Sequence, residues 1–239
     1  MRPAIWGMPR KKLNRNSSLA YHVCGRTNNA EWFPIPLSEV WTIFCHHLER
    51  VSGLNRPEIG LFVLMANHFH MILSTPLENL DEIMRNLLTE VSKAIRSASG
   101  RKNHIFGPRY KWSLLPDSES LAYVYKYVAR NPAKAGLVTD IFDYEFSSLS
   151  RLYRGRSCPP ITEGFKSYWS CIPRQIQDRR DWLNIPTPKE HDELIRRGLR
   201  RTSFQLTTSN QFIKTLAELK TSLPKRCLTP SGEICLEGV

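Results

Sequence analysis

Residues 63–73 read VLMANHFHMIL, an apolar run interrupted by two histidines one residue apart, His68 and His70. Leu61 to Met65 has the unbroken hydrophobicity of a buried strand. Ala66 and Asn67 can make a tight turn into a second strand, His68 to Ser74, although one continuous strand is also compatible with the run. In a strand, residues two apart share a face, so His68 and His70 present neighbouring imidazoles on one side while Phe69 and Met71 point to the other. Two adjacent imidazoles can serve as two ligands to one cation, or can be packing histidines satisfied by backbone carbonyls. The pair by itself leaves both readings open.

Working outward, Leu19 to Arg26 alternates as a strand, with Leu19, Tyr21 and Val23 set against Ala20, His22 and Cys24. A helix is expected from Ser38 as cap to Gly53, with Val40, Phe44, Leu48 and Val51 inward. A second runs from Asn79 to Ser97 on Leu80, Ile83, Leu87, Val91 and Ile95, with Gly100 ending it. Tyr110 to Leu115 reads as a strand. A third helix starts at the cap Asp117 and stops near Asn131, because Pro132 disfavours helical geometry in the residue before it. This order predicts an α+β fold, a largely antiparallel sheet with helices packed over it.

The texture changes after Gly155. Ser157–Pro160 and Gly164 mark a boundary, followed by WLNIPTP, HDELIRRGLRR and SNQFIKTLAELK. The last has Ser209 as a cap and Phe212, Ile213, Leu216 and Leu219 on one face. The expected organisation is a basic N-terminal arm over 1–18, a main α+β domain over 19–155, and a small basic helical extension over 156–239 that frays from Pro224.

The 239 residues carry a net charge of +12, which draws the chain towards polyanions. Arginine outnumbers lysine locally, as in RRGLRR and RGR, and a guanidinium grips phosphate bidentately, which favours nucleic acid over a generic basic surface. No run of about 18 apolar residues predicts a membrane span, and the basic start MRPAIWGMPRKK lacks the apolar segment of a secretory signal. Six cysteines, Cys24, Cys45, Cys158, Cys171, Cys227 and Cys235, contain no C-x-x-C pair. They are expected to be reduced thiols in a cytoplasmic protein.

Two ligands rarely suffice for a cation. His46 and His47 fall on the first helix and His104 in a basic loop, where surface or structural roles suit them. In SLAYVYKYVARNP, Leu121, Val124 and Val128 form the apolar stripe. Tyr127 and Asn131, four apart, lie together along its edge. Tyr125 leans to the apolar side, and Tyr123 stands one turn further from the helix end.

VLMANHFHMIL, then FGPRYK, then YVARNPAKAGLV resembles the single-tyrosine HUH transposases and, within them, the REP-associated tyrosine transposases. The resemblance covers roughly Tyr21 to Gly155, including HVCGRTNN and DYEFSS, and extends more weakly to WLNIP and RRGLRR. It implies an HUH endonuclease-like sandwich. It also implies a divalent metal on His68 and His70, completed by Asn131, and a nucleophile at Tyr127 that forms a 5′-phosphotyrosine. Softness alone suits Mn²⁺ or Zn²⁺ to two imidazoles and an amide; the resemblance favours Mg or Mn. Its implied partner is single-stranded or hairpin DNA, including repetitive extragenic palindromes, with a homodimer left open. The family usually has proline where this chain has Ala66, which bears on turn rigidity and touches no ligand.

Further DNA contacts are expected from Arg109 and Lys111, which alternate with Tyr110 and Trp112, and from Arg196, Arg197, Arg200 and Arg201. A solvated helix face is the alternative for those four. Two other functions compete with the nuclease: a non-catalytic hairpin-binding protein on the same fold, and a zinc hydrolase. The hydrolase lacks a carboxylate beside the histidines to act as base.

Overall fold

The computed structural model describes residues 12–155, 161, 171–206, 215, 218–219 and 221–224. Four strands form one antiparallel sheet: β1 (Ala20–Arg26), β2 (Glu58–Met65), β3 (His68–Ser74) and β4 (Lys111–Leu115), in the order β2-β3-β1-β4. The expected α+β sandwich is the observed one. Ala66 and Asn67 do form the turn between β2 and β3, so VLMANHFHMIL is a hairpin. Helices α1 (Leu37–Asn55) and α2 (Leu80–Ser99) cover one face, burying Phe44, Leu48, Leu87 and Val91 against Tyr21, Phe62, Phe69 and Met71. Helix α3 (Ser118–Ala129) covers the other, with Leu121, Val124 and Val128 against Leu61, Val63 and Ile72. The register slips between Ile59 and Leu61, so Ile59 and Phe62 reach the same face although three residues apart.

Local chemistry accounts for the helix ends. The Asp117 side chain accepts from the Ser120 N–H at 2.7 Å, capping α3 as expected. Ser38, expected as the cap of α1, instead lies inside its first turn, because the extended Pro36 precedes Leu37 and sets the start. The same helix continues two residues past Gly53: Asn79 Nδ2 donates to the Asn55 carbonyl at 3.1 Å, satisfying a terminal acceptor. Gly100 ends α2 in the left-handed region at φ 67°.

After α3 come a short turn of helix, α4 (Asn131–Lys134), and then α5 (Ser148–Tyr153), α6 (Ile176–Asn184) and α7 (Lys189–Gly198). Helices α6 and α7 do not stand apart from the sandwich. Trp182, Leu183, Leu194 and Ile195 join the core on the α3 side. Both outer strands are also partnered. Leu64 N–H donates to the Phe146 carbonyl at 2.9 Å, and Phe204 N–H to the Leu114 carbonyl at 2.7 Å. The expected boundary at Ser157–Pro160 and most of the helix begun at Ser209 lie outside the described residues.

The reduced-thiol expectation needs correction. Cys24 is a free thiol, whereas Cys45 and Cys171 are disulfide-bonded.

Candidate active site

Strand register assembles the site. Cys24 pairs with His70 and Arg26 with His68, so His22, Cys24, Arg26, His68 and His70 share the face under α3. The His68 and His70 rings stand side by side, centroids 5.1 Å apart and nearly perpendicular at 88°. His22 Nε2 lies 2.8 Å from His70 Nδ1. The His68 Nδ1–H donates to Asn67 Oδ1 at 2.7 Å, which leaves His68 Nε2 as the lone-pair nitrogen. With its proton on Nδ1, His70 donates to His22 and likewise frees Nε2. Metal-binding histidines are commonly held in this way, one nitrogen anchored and the other presented.

Burial keeps the rings neutral. Desolvation lowers the His22 pKa to about 3 and that of His68 to about 4, with the Arg26 charge adding to the second. His70 is pushed well below its ordinary value by burial, then by the neighbouring His22 and His68. Neutral imidazole is the ligating form. The same desolvation raises the Cys24 thiol to about 11, which makes it a poor rival nucleophile.

The turn before these histidines is tied down although Ala66 stands where a proline was expected from the resemblance. Ala66 and Asn67 offer their carbonyls to the N–H groups of Phe33 and Thr27, each at 2.9 Å. The Asn67 amide donates to the Ala30 carbonyl at 2.8 Å.

Tyr127 projects from the last turn of α3 towards His70, with ring centroids 6.4 Å apart. Its hydroxyl pKa is raised, first by burial and then by Asp192, while Arg196 pulls it down. Lys134 Nζ lies 4.0 Å from the centre of the phenol face and 2.6 Å from Asp192 Oδ1. Asn131 follows Tyr127 by one turn, and its Nδ2 donates to the Tyr127 and Val128 carbonyls at 3.0 and 3.2 Å. That orientation leaves its Oδ1 without a hydrogen bond among the described residues. Tyr125 is core, as expected, and Tyr123 buries its hydroxyl without a hydrogen-bond partner among the described residues.

The fit to a divalent cation is that of two neutral imidazoles plus an amide oxygen. Among the described residues no group of three or more His, Cys, Asp or Glu side chains could hold a metal ion, so His22 and Cys24 do not complete a triad with the motif. His46 and His47 sit together on α1, and α1 packs on the opposite face of the sheet.

The expected DNA contacts divide. Lys111 pairs with Cys24 in the register and shares its face; Arg109 stacks on Tyr110 with its guanidinium carbon 5.2 Å from the ring centre. Arg196 and Arg197 both pair with Glu193, at 2.5 and 2.8 Å, and Arg201 donates to Gln205 at 2.6 Å. Arg200 lies just beyond α7 and bonds back to the Arg197 carbonyl at 3.2 Å. Of the four, Arg196 acts on Tyr127. Sequence reasoning passed over His22, Arg26, Lys134 and Asp192. The alternation in LAYHVCGR had already put His22 on the Cys24 face, but only the β1–β3 register brings it to His70.

No family model matches the chain. It is 30% identical over 115 residues to a REP-associated tyrosine transposase of Escherichia coli (strain K12), covering 48% of this chain and 68% of that protein. A solved structure of a REP-associated tyrosine transposase bound to a REP hairpin has a similar fold, with a TM-score of 0.52. It is 22% identical, and the match covers 66% of this chain and 92% of that one.

Proposed function

Since the chain belongs to the REP-associated tyrosine transposase family, we propose that it cleaves and rejoins single-stranded or hairpin DNA with Tyr127 as nucleophile. The carrying observation is that the Tyr127 ring faces His70 at 6.4 Å, on the side of the sheet that also bears His68. In this reading His68 and His70, through their Nε2 atoms, and Asn131 through Oδ1 would hold Mg²⁺ or Mn²⁺. The bound cation supplies charge that polarises and aligns the phosphate.

The remaining work falls to side chains. The Tyr127 oxygen forms a bond to phosphorus as the bond to the 3′ oxygen breaks. The phenol gives up its proton, and the departing 3′ oxygen gains one. The product is a 5′-phosphotyrosine and a free 3′ hydroxyl, whose reverse attack rejoins the strand without a nucleotide cofactor. A phenol with a raised pKa is a weak nucleophile until charge near it changes. Arg26 and Lys134 are the cations beside the imidazoles and the phenol that a phosphate would meet. His22 is a positioning residue, fixing the His70 ring. Lys111, Arg109 and the α7 arginines extend the contact with DNA. Residues 19–155 form the catalytic unit and 156–239 an extension that adds to binding. The protein works in the cytoplasm, where its DNA is; among the described residues no helix is long and apolar enough to cross a membrane.

Labelled hairpin oligonucleotides incubated with the protein and Mg²⁺ or Mn²⁺ should yield a protein–DNA adduct that survives denaturation. Tyr127→Phe should form none while still binding the hairpin, and His68→Ala should lose cleavage. A Tyr127→Phe protein that still forms the adduct ends the assignment. Wild-type protein that binds hairpins and never forms one is a binding protein only.

A further inference from the structure

Beside Tyr127, helix α3 and its continuation bury a row of cations. Lys126, Arg130 and Lys134 are four residues apart. The Arg130 N–H donates to the Lys126 carbonyl at 3.1 Å and the Lys134 N–H to the Arg130 carbonyl at 2.9 Å, so the helical repeat runs unbroken from α3 into α4. The three side chains therefore share one face. Helices α6 and α7 cover it, leaving Lys126 5% and Arg130 8% exposed.

That face is short of negative charge. Asp192 of α7 is set against it, and its carboxylate lies 2.6 Å from Lys134. The neighbouring Glu193 pairs with Arg196 and Arg197. Neither Lys126 nor Arg130 forms an ion pair among the described residues. The Arg130 guanidinium donates to the Leu183 carbonyl, a neutral acceptor, at 2.8 Å, and its Nε is buried without a hydrogen bond. Lys126 has an aromatic face beside it, its Nζ 5.4 Å from the centre of the Trp182 ring. Burial lowers the Lys126 pKa to about 8, with Arg130 and Lys134 adding to the shift and Asp192 opposing it. The ammonium thus keeps its proton at pH 7, and a buried charge without a counter-ion is costly.

That ammonium borders a cavity. Between α3, the link over 185–188 and residues 219–223 lies a space of about 10 Å³, enough for one particle of about water size. Lys126, Tyr123 and Thr187 line it. The Tyr123 hydroxyl, on a side chain 4% exposed, and Thr187 Oγ1 are both buried without a hydrogen-bond partner among the described residues. An ammonium and two hydroxyls all have hydrogens to give. Asp192 also reaches the cavity, its charge already met by Lys134, and the remaining lining is largely apolar, as at Ala122, Ile195 and Leu223. A water there would satisfy the hydroxyls and leave the charge uncompensated, whereas a small anion does both. Phosphate and sulfate are too bulky for the space.

We propose that this cavity binds a small monovalent anion, chloride above all, which accepts from Lys126 Nζ, the Tyr123 O–H and the Thr187 O–H and pins α7 to the helix that bears Tyr127. The site is independent of the DNA chemistry and is tested without DNA. Full-length protein is melted at pH 7 in mixtures of sodium chloride and sodium gluconate at constant ionic strength, gluconate being too large for the cavity. The melting temperature should rise by about 3–6 °C for each tenfold increase in chloride once the site begins to fill. Lys126→Met, which keeps the side-chain bulk and removes the charge, should flatten that dependence, and Tyr123→Phe should weaken it. Crystals of wild-type protein grown in bromide should show an anomalous peak within hydrogen-bonding reach of all three groups, a readout that holds even where a variant fails to fold. A melting temperature indifferent to chloride, an equal rise in Lys126→Met, or a cavity that holds water in place of bromide overturns the assignment.

Discussion

His22 gives the sharpest quantitative test of the buried histidine cluster. Its ring is 5% exposed, and desolvation lowers its pKa from 6.5 to about 3. The unfolded chain therefore binds a proton near pH 6.5 that the folded chain refuses until near pH 3. The contribution to stability is fully present above pH 6.5 and is lost as pH falls from there towards 3. Between pH 7 and pH 5 the loss from this one ring is about 2 kcal/mol, with close to one proton taken up on unfolding at pH 5. Urea unfolding of metal-free protein across that range should show the decline. His22→Gln should remove about one proton from the slope near pH 5, whatever its effect on stability at pH 7. Slopes, not absolute stabilities, carry the result, since glutamine cannot reproduce the 2.8 Å contact with His70. A variant whose stability falls with acid as steeply as wild type would mean that His22 is hydrated or already charged in the fold.

Other expectations follow from single contacts. Asp192→Asn should lower the Tyr127 pKa, because the carboxylate raises it and its removal also releases Lys134; ultraviolet titration of the phenol against Tyr127→Phe reads this, and an unmoved or higher value refutes it. Gly25→Ala should destabilise by about 1–3 kcal/mol, since a Cβ there would sit 2.4 Å from the Phe69 ring. Chemical denaturation measures that loss, and a neutral result would show that Phe69 moves aside freely. Asp117→Ala should cost about 1 kcal/mol by uncapping α3, with Asp117→Ser recovering most of it in the same assay.

Local periodicity was enough for the inward faces of the first three helices and the paired orientation of His68 and His70, because each depends on neighbours within a turn or two of chain; it left the turn at Ala66 and Asn67 open between a hairpin and one continuous strand. It was also enough to set Tyr127 beside Asn131. What it missed depends on distant approach. His22 reaches His70 through strand pairing, and Asp192 reaches Lys134 because α7 folds back on α3. Helix α6 escaped notice because QDRRDWLN offers Trp182 and Leu183 to the core amid charged residues, too few to mark an apolar stripe. The continuation of α1 past Gly53 likewise depends on Asn79, well outside the helix.

The backbone bonds between Leu114 and the segment at Thr202 to Phe204 bear on how deletion experiments should be read. Removing the chain from α7 onward strips a flank from β4 and bares an unpaired N–H and C=O to any passing strand. A shortened protein that precipitates or self-associates would thus report a lost seam in the sheet, and its inactivity would say nothing about DNA. Charge-neutralising substitutions on α7, which keep that seam closed, are the cleaner way to ask what the C-terminal residues contribute.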